Sequence, residues 1–209
     1  MSLFRAFRPA STQAITENLY VVRCGFVNFY VLKTANGVVL FDTGINALFA
    51  KKGLGKLGIS AETVTHIYLT HTDYDHMGGI AAFPKADRHI SKAEEQMING
   101  KTARRGFLYN SRLSDYHVFE NGKRIDVDNI SILPLLTPGH TPGSTIYLID
   151  NRYLVTGDLL RISQKGKIKP FLRLMNKNHK QNIESIKDKK DIIDSAEYIL
   201  TGHTGFYKK

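Results

Sequence analysis

The chain has 209 residues, 42% of them hydrophobic and six of them proline, with 29 Lys and Arg against 19 Asp and Glu for a formal charge of +10. This composition excludes disordered, fibrous and collagen-like classes, and a chain this long can bury roughly 70% of the surface its unfolded form exposes, so one globular domain over residues 1–209 is expected. Cys24 is the only cysteine, which excludes an intramolecular disulfide and a thiolate metal cluster.

In chain order, the N-terminal "MSLFRAFRPASTQ" holds basic residues but no apolar stretch of signal-peptide length. With no apolar run near the ~20 residues of a membrane span, the sequence reads as cytoplasmic, with no membrane partner. "LYVVRCGF" reads as a strand that buries Cys24 as a small hydrophobe. "NFYVLKTANGVVLFDTG" reads as two strands around Asn36-Gly37, a dipeptide suited to the positive backbone angles of a tight hairpin turn, and ends at Asp42. "VTHIYLT" is a further β-branched run, and "IAAF" is expected to start a helix after Gly78 and Gly79. Ser91 and Glu94 have the spacing of a capping box, which predicts a short helix over "KAEEQMI". The basic, aromatic stretch from Asn99 to Tyr116 lacks periodicity and reads as a loop. Strands resume in "ISILPLLTP" and "STIYLIDNRYLVTGD", where Asp150-Asn151-Arg152 supplies turn chemistry; "NHKQNIESIKDKK" reads as helix and "EYILTGHTG" as strand then loop. Hairpin-like strands with helices in both halves favour two sheets covered by helices.

Chemistry collects where apolar strands end. "LTHTDYDHMGG" packs His71, Asp73, Asp75 and His76 into six positions, and "TPGHTPGS", "LVTGD" and "ILTGH" add His140, Asp158 and His203. Side chains on strand ends are held by a rigid scaffold yet stay open at a sheet edge. Helix capping would use one residue of the first cluster, not four. Seven donors exceed the four that close one tetrahedral ion and suit two ions sharing a carboxylate. Gly139, Gly157 and Gly202 flank the later donors and permit tight backbone placement. His66, His89, His117 and His179 lie outside these motifs and read as structural.

"THTDYDHMGG", "TPGHTPGS", "TGD" and "TGH", preceded by "LFDTG", resemble the ordered motifs of the metallo-β-lactamase superfamily from about Leu19 to Gly205. The resemblance implies an α+β fold, a four-layer αββα sandwich, with two divalent metal ions at one edge. It implies that His71, residue 73 and His140 hold one ion, that Asp75, His76 and His203 hold the other, that Asp158 bridges them, and that Asp42 supports the site from behind. The chain departs from the common HxHxDH pattern: it has Asp73 where the family usually has histidine, making HxDxDH. A carboxylate there is harder than imidazole, so iron(II) or manganese are alternatives to zinc, the first expectation.

The function implied is hydrolysis of an ester, thioester, lactone or amide of a small substrate by hydroxide generated between the ions, with Asp75 or Asp73 as proton donor, as in glyoxalase II-like or lactonase-like relatives. Arg104, Arg105, Tyr109 and Arg112 of the basic loop are candidates to meet an anionic substrate; a solvated loop is the plainer reading. The basic residues are too diffuse to read as a nucleic-acid surface. A non-heme iron redox protein, motivated by Asp73, and a non-catalytic metal-binding module are the alternatives. Substrate identity and oligomeric state are not legible.

Overall fold

The structure is a computed structural model and describes residues 6–209. Two sheets lie face to face. The first has seven strands in sequence order: β1 (Gln13–Ala14), β2 (Leu19–Cys24), β3 (Val27–Lys33), β4 (Val38–Phe41), β5 (Val64–Tyr68), β6 (Asp87–Ser91) and β7 (Tyr116–Phe119). Its first four strands pair antiparallel and β4 to β7 run parallel. The second sheet contains β8 (Ile125–Val127), β9 (Ile130–Leu136), β10 (Thr145–Ile149), β11 (Tyr153–Gly157), β14 (Tyr198–Thr201) and β15 (Gly205–Lys208), in the order β15-β14-β11-β10-β9-β8. A small hairpin, β12 (Leu160–Ile162) with β13 (Ile168–Pro170), stands apart.

The layers follow from strand alternation. On β3, Tyr30 and Leu32 point between the sheets, where they meet Phe41, Tyr68, Tyr147 and Leu200. Phe29 and Val31 point the other way, into a second cluster with Ala50 and Leu54 of α1 (Ala47–Gly55) and Ile98 of α3 (Glu95–Ile98). The outer face of the second sheet packs Ile146, Leu154 and Ile199 against Ile193 of α5 (Lys190–Ser195) and Ile186 of α4 (His179–Asp188). Strands covered on both faces read as continuous apolar runs, as β3 and β4 do. The result is helix, sheet, sheet, helix: the expected αββα sandwich. Among the described residues no helix is long and apolar enough to cross a membrane.

Three local expectations change. The hairpin between β3 and β4 exists, but neither Asn36 nor Gly37 has a positive φ. Asp128 accepts from the Asn36 backbone and side chain at 3.2 and 2.8 Å, and these tertiary bonds set the loop instead. Gly37 is needed for closeness, since a Cβ there would lie 2.6 Å from Thr65 Cγ2. The paired positive angles occur at Asp150 and Asn151, φ 49° and 54°, between β10 and β11. The "IAAF" stretch forms only a 3-10 turn over Ile80–Ala82. Finally, Ser91 and Glu94 form no capping box: the Ser91 hydroxyl donates to the Gly143 carbonyl at 2.7 Å, and the Glu94 carboxylate serves the candidate site.

Candidate metal centre

Every predicted donor follows the C-terminal end of a strand. Asp42 follows β4, the "HTDYDH" cluster follows β5, His140 follows β9, Asp158 follows β11 and His203 follows β14. β4 pairs parallel with β5, and β11 with β14, so neighbouring strands deliver their ends to the same edge. Asp75 and His76 sit in the short helix α2 (Tyr74–Met77), where the one-turn coil turns both inward.

Six of the seven side chains fall into two groups, and Asp73 stands beside the first. His71, His140 and Asp158 form one, and Asp75, His76 and His203 the other, with the donor atoms of each within 4.8 Å of one another. Asp158 Oδ2 lies 3.4 Å from His140 Nε2, while Oδ1 lies 3.5 Å from His76 Nε2 and 3.3 Å from His203 Nε2. Asp75 Oδ2 stands 3.3 Å from His203 Nε2 and 3.9 Å from His76 Nε2. Asp73 Oδ2 lies 3.2 Å from His140 Nε2 and 3.6 Å from His71 Nε2.

Outer bonds aim the imidazoles. Nδ1 of His76 meets Asp42 Oδ2 at 2.7 Å, Nδ1 of His203 meets the Phe26 carbonyl at 2.9 Å, and Nδ1 of His140 meets Asn176 Oδ1 at 3.1 Å. Nδ1 of His71 meets Thr70 Oγ1 at 3.0 Å, and that hydroxyl donates onward to Asp42 Oδ2 at 2.8 Å. Each ring thus spends Nδ1 outward and turns Nε2 inward, the arrangement that fixes the tautomer of a metal-binding histidine. Asp42 takes a left-handed φ of 64° to accept both bonds, a conformation that aspartate tolerates better than most residues.

Cations suit this centre. His71 Nε2, His76 Nε2 and Asp158 Oδ1 are buried without a hydrogen-bond partner, a costly state unless something else satisfies them. Burial pushes the Asp158 carboxyl upward, but His203, His76 and His140 outweigh it and hold the group well below the usual carboxylate range. Burial likewise opposes charge on His76 and His203, yet the carboxylates around them win, lifting His76 well above the ordinary imidazole value and His203 to about 9. The field that draws protons there draws divalent ions too. Oxygen and imidazole donors without thiolate fit zinc, iron or manganese alike.

A model of the family described as Metallo-beta-lactamase superfamily matches residues 22–203. The chain belongs to this superfamily. It is similar to an uncharacterized Bacillus subtilis protein, 28% identical over 207 residues that cover 87% of this chain and 84% of that protein. A probable metallo-hydrolase of Mycobacterium tuberculosis is 26% identical over 176 residues, covering 62% of this chain and 57% of that protein. The chain therefore spans little more than half of that relative. Among solved structures, a B3 metallo-beta-lactamase with an active site glutamic acid superposes with a TM-score of 0.75 at 20% identity, covering 100% of this chain and 88% of the other. At that identity the likeness is one of fold.

Within the superfamily frame, the basic loop departs from expectation. Arg104 does not face outward: its Nε donates to Asp73 Oδ1 and Oδ2 at 2.8 and 2.7 Å, and its Nη2 donates to His140 Nε2 at 3.0 Å and to the Met175 carbonyl at 2.8 Å. Charge complementarity with Asp73 is the physical reason. Arg105 is exposed and donates to the Leu174 carbonyl. Tyr109 is exposed, and Arg112 lines a cavity of about 280 Å³ with Ile98, Asn99, Leu113 and Tyr116. Neither Tyr109 nor Arg112 bonds any of the seven donors among the described residues.

Sequence reading missed Glu94 and Asn176. Buried Glu94 accepts from Thr72 N and Thr72 Oγ1, both at 2.8 Å, on one oxygen, and from Thr141 Oγ1 at 2.7 Å and Gly143 N at 3.0 Å on the other. It ties the loop of His71 and Asp73 to the loop of His140. Asn176 orients His140 and is itself held by His179, whose Nδ1 accepts from Asn176 Nδ2 at 3.0 Å. Glu94 carried only a capping-box spacing, which points to a helix start, and Asn176 in a lysine-rich loop carried no motif. The aromatic wall was also missed: Phe7 stacks on the His203 ring at 4.3 Å, and Phe171 packs 5.4 Å from His140 and 5.5 Å from His203.

Proposed function

We propose that this superfamily hydrolase cleaves an ester, thioester, lactone or amide bond of a small substrate, using two divalent ions held by His71, Asp73 and His140 on one side, by Asp75, His76 and His203 on the other, and by Asp158 between them. The observation that carries this reading is the two-faced Asp158 carboxylate, one oxygen toward His140 and the other toward His76 and His203. Bound there, the ions supply a water acidified toward neutrality and an electrophile for the scissile carbonyl oxygen. Zinc is the first choice of ion; iron and manganese are the alternatives.

The chain's own residues supply position and proton traffic. Asp75 is the most accessible of the three carboxylates, its side chain 22% exposed against 14% for Asp73 and 4% for Asp158. Burial raises its pKa, but His76 and His203 outweigh burial and keep it anionic. Asp75 Oδ2 is thus the group placed to accept a proton and return it to the leaving group. Asp73 is already engaged by Arg104 and is the poorer acceptor. Phe7 and Phe171 exclude water on the His203 side.

Elemental analysis of protein purified without added metal, followed by reconstitution with zinc, manganese or iron(II) and a panel of ester, thioester, lactone and amide substrates, tests the proposal. Metal-dependent hydrolysis abolished by a chelator is expected. Stoichiometric iron with oxygen consumption and no hydrolysis anywhere in the panel would overturn it in favour of redox chemistry.

A further inference from the structure

The two donor groups differ in what already neutralises them. Around Asp75, His76 and His203 no lysine or arginine forms an ion pair among the described residues. Around His71 and His140 there is Arg104, whose side chain is 12% exposed and whose partner Asp73 is 14% exposed. The guanidinium engages both Asp73 oxygens and the inward nitrogen of His140, the same atoms that would face an ion in that group.

Its placement is built, not incidental. The Arg104 backbone N–H donates to the Leu108 carbonyl at 2.7 Å and Leu108 N–H returns to the Arg105 carbonyl at 2.7 Å, closing a tight loop. Lys177 holds the Ala103 carbonyl and Arg105 holds the Leu174 carbonyl, which anchor that loop to residues 174–177 on the far side of His140. Asn110 Nδ2 adds a further bond to Asp73 Oδ1 at 3.1 Å. A planar, permanently charged fork suits a carboxylate in a way that a neutral imidazole at position 73 could not use. Asp73 and Arg104 therefore read as one unit.

Resting on the two-ion reading above, we propose that Arg104 is a resident cation of the first group, so that the chain takes up divalent ions unequally. One ion enters at Asp75, His76, His203 and Asp158 without having to displace a lysine or arginine paired there. The second, at His71, His140 and Asp73, has to displace the guanidinium. Displacement sacrifices the bonds to Asp73 and to the Met175 carbonyl and leaves a buried cation to be re-solvated, a substantial cost. The positive charge balancing Asp73 is then carried by the protein itself whenever one ion is bound.

The test is zinc titration of the full chain, stripped by chelator, in competition with a chromophoric chelator, with bound zinc counted by elemental analysis. The wild-type chain should show two equivalents separated by at least about tenfold in affinity. Arg104→Ala should tighten the second equivalent by about tenfold or more and leave the first within about twofold. Arg104→Lys guards against a merely misfolded alanine variant: it keeps the charge but cannot grip both carboxylate oxygens and His140, so its second equivalent should fall between the two. Equal affinity for both equivalents in the wild-type chain, or a second equivalent unmoved by both substitutions, would overturn the role of Arg104. Failure of all three proteins to take up even one equivalent would instead defeat the metal reading on which it rests.

Discussion

Replacing Glu94 by alanine removes a buried side chain that ties together the two loops of the first donor group. Four donors converge on its oxygens, two of them hydroxyls and two of them backbone N–H groups. The Thr141 hydroxyl can turn elsewhere, since Ser144 Oγ lies 2.9 Å away, whereas Thr72 Oγ1 already accepts from Asn110 Nδ2 at 3.2 Å. The N–H groups of Thr72 and Gly143 cannot turn, and an orphaned buried donor costs about 1–3 kcal/mol. Two of them, with the hole left by the side chain, give about 3–6 kcal/mol. Burial pushes the Glu94 carboxyl upward despite those four bonds, so the charge itself is held at a cost that the substitution refunds in part. A net loss of about 3–4 kcal/mol is expected in urea unfolding at neutral pH. Glu94→Gln keeps one oxygen and should lose roughly half as much, because its amide NH₂ must face donors. Zinc affinity in Glu94→Ala should fall about 10–100-fold, as is usual when the residues behind metal ligands are removed. If Glu94→Ala unfolds within about 1 kcal/mol of the wild-type chain and binds zinc normally, the tie assigned to Glu94 is wrong.

Asp42→Asn should weaken zinc uptake by about 10–100-fold while the chain stays folded, because the amide can offer His76 Nδ1 a donor and so favour the tautomer with Nε2 protonated; zinc titration read beside circular dichroism checks it. Zinc loading near pH 7.5 should release about one proton or more per chain, since the carboxylates outweigh burial and hold His203 protonated up to about 9; the proton count from an indicator dye should fall as pH rises through that value, and a pH-independent count of zero would contradict it. His89, stacked on Tyr68 at 4.5 Å, is depressed to about 4 by burial and by its neighbours His66 and His117. A depressed base contributes stability above its unfolded value of 6.5 that is lost as pH falls toward about 4, amounting to at most about 3 kcal/mol. Urea unfolding of His89→Phe across that window should show a shallower fall than the wild-type chain, and parallel curves would refute the assignment. Gly202→Ala should fold yet lose zinc affinity, because a Cβ there would lie 2.8 Å from Asp158 Oδ1 and from His76 Cε1; unchanged zinc uptake would show that the loop yields.

Much of the centre is legible in the sequence because each donor is attached to a periodic signal. An apolar strand followed at once by histidine or aspartate announces a side chain at a sheet edge, and five such ends in one order leave few folds open. Asp42 closes the strand "VVLF", but its role behind the centre was legible only through the resemblance to the superfamily. What escaped depends on contacts remote in sequence. Glu94 and Ser91 satisfy a capping spacing, yet Ser91 finds the Gly143 carbonyl and Glu94 finds Thr72 and Thr141, partners up to 52 residues away. Local propensity could not compete with four buried donors that converge on one carboxylate. Asn36-Gly37 failed in the same way, because Asp128, 92 residues on from Asn36, supplies the bonds that set the loop. Strands β6 and β7 were invisible as well: "DRHIS" and "YHVF" show no regular alternation of apolar and polar residues, and the parallel pairing of β6 with β5 and of β7 with β6 makes them strands.

The basic loop shows why residue type alone could not assign its arginines. Arg104 and Arg105 are adjacent and chemically identical, yet one lies across Asp73 while the other, exposed, holds a backbone carbonyl. The difference is set by the turn that returns the chain at Leu108 and by the anchors at residues 174–177, neither of which leaves a pattern in the sequence. Asp73 shares the ambiguity: read alone it is a harder ligand than histidine, and read with Arg104 it is half of an ion pair. Those two readings predict opposite behaviour for Asp73→His. If Asp73 is chiefly a ligand, histidine shifts metal preference and leaves Arg104 indifferent. If it is chiefly the partner of Arg104, histidine strands a buried guanidinium, and the doubly substituted Asp73→His, Arg104→Ala chain should be more stable than Asp73→His alone.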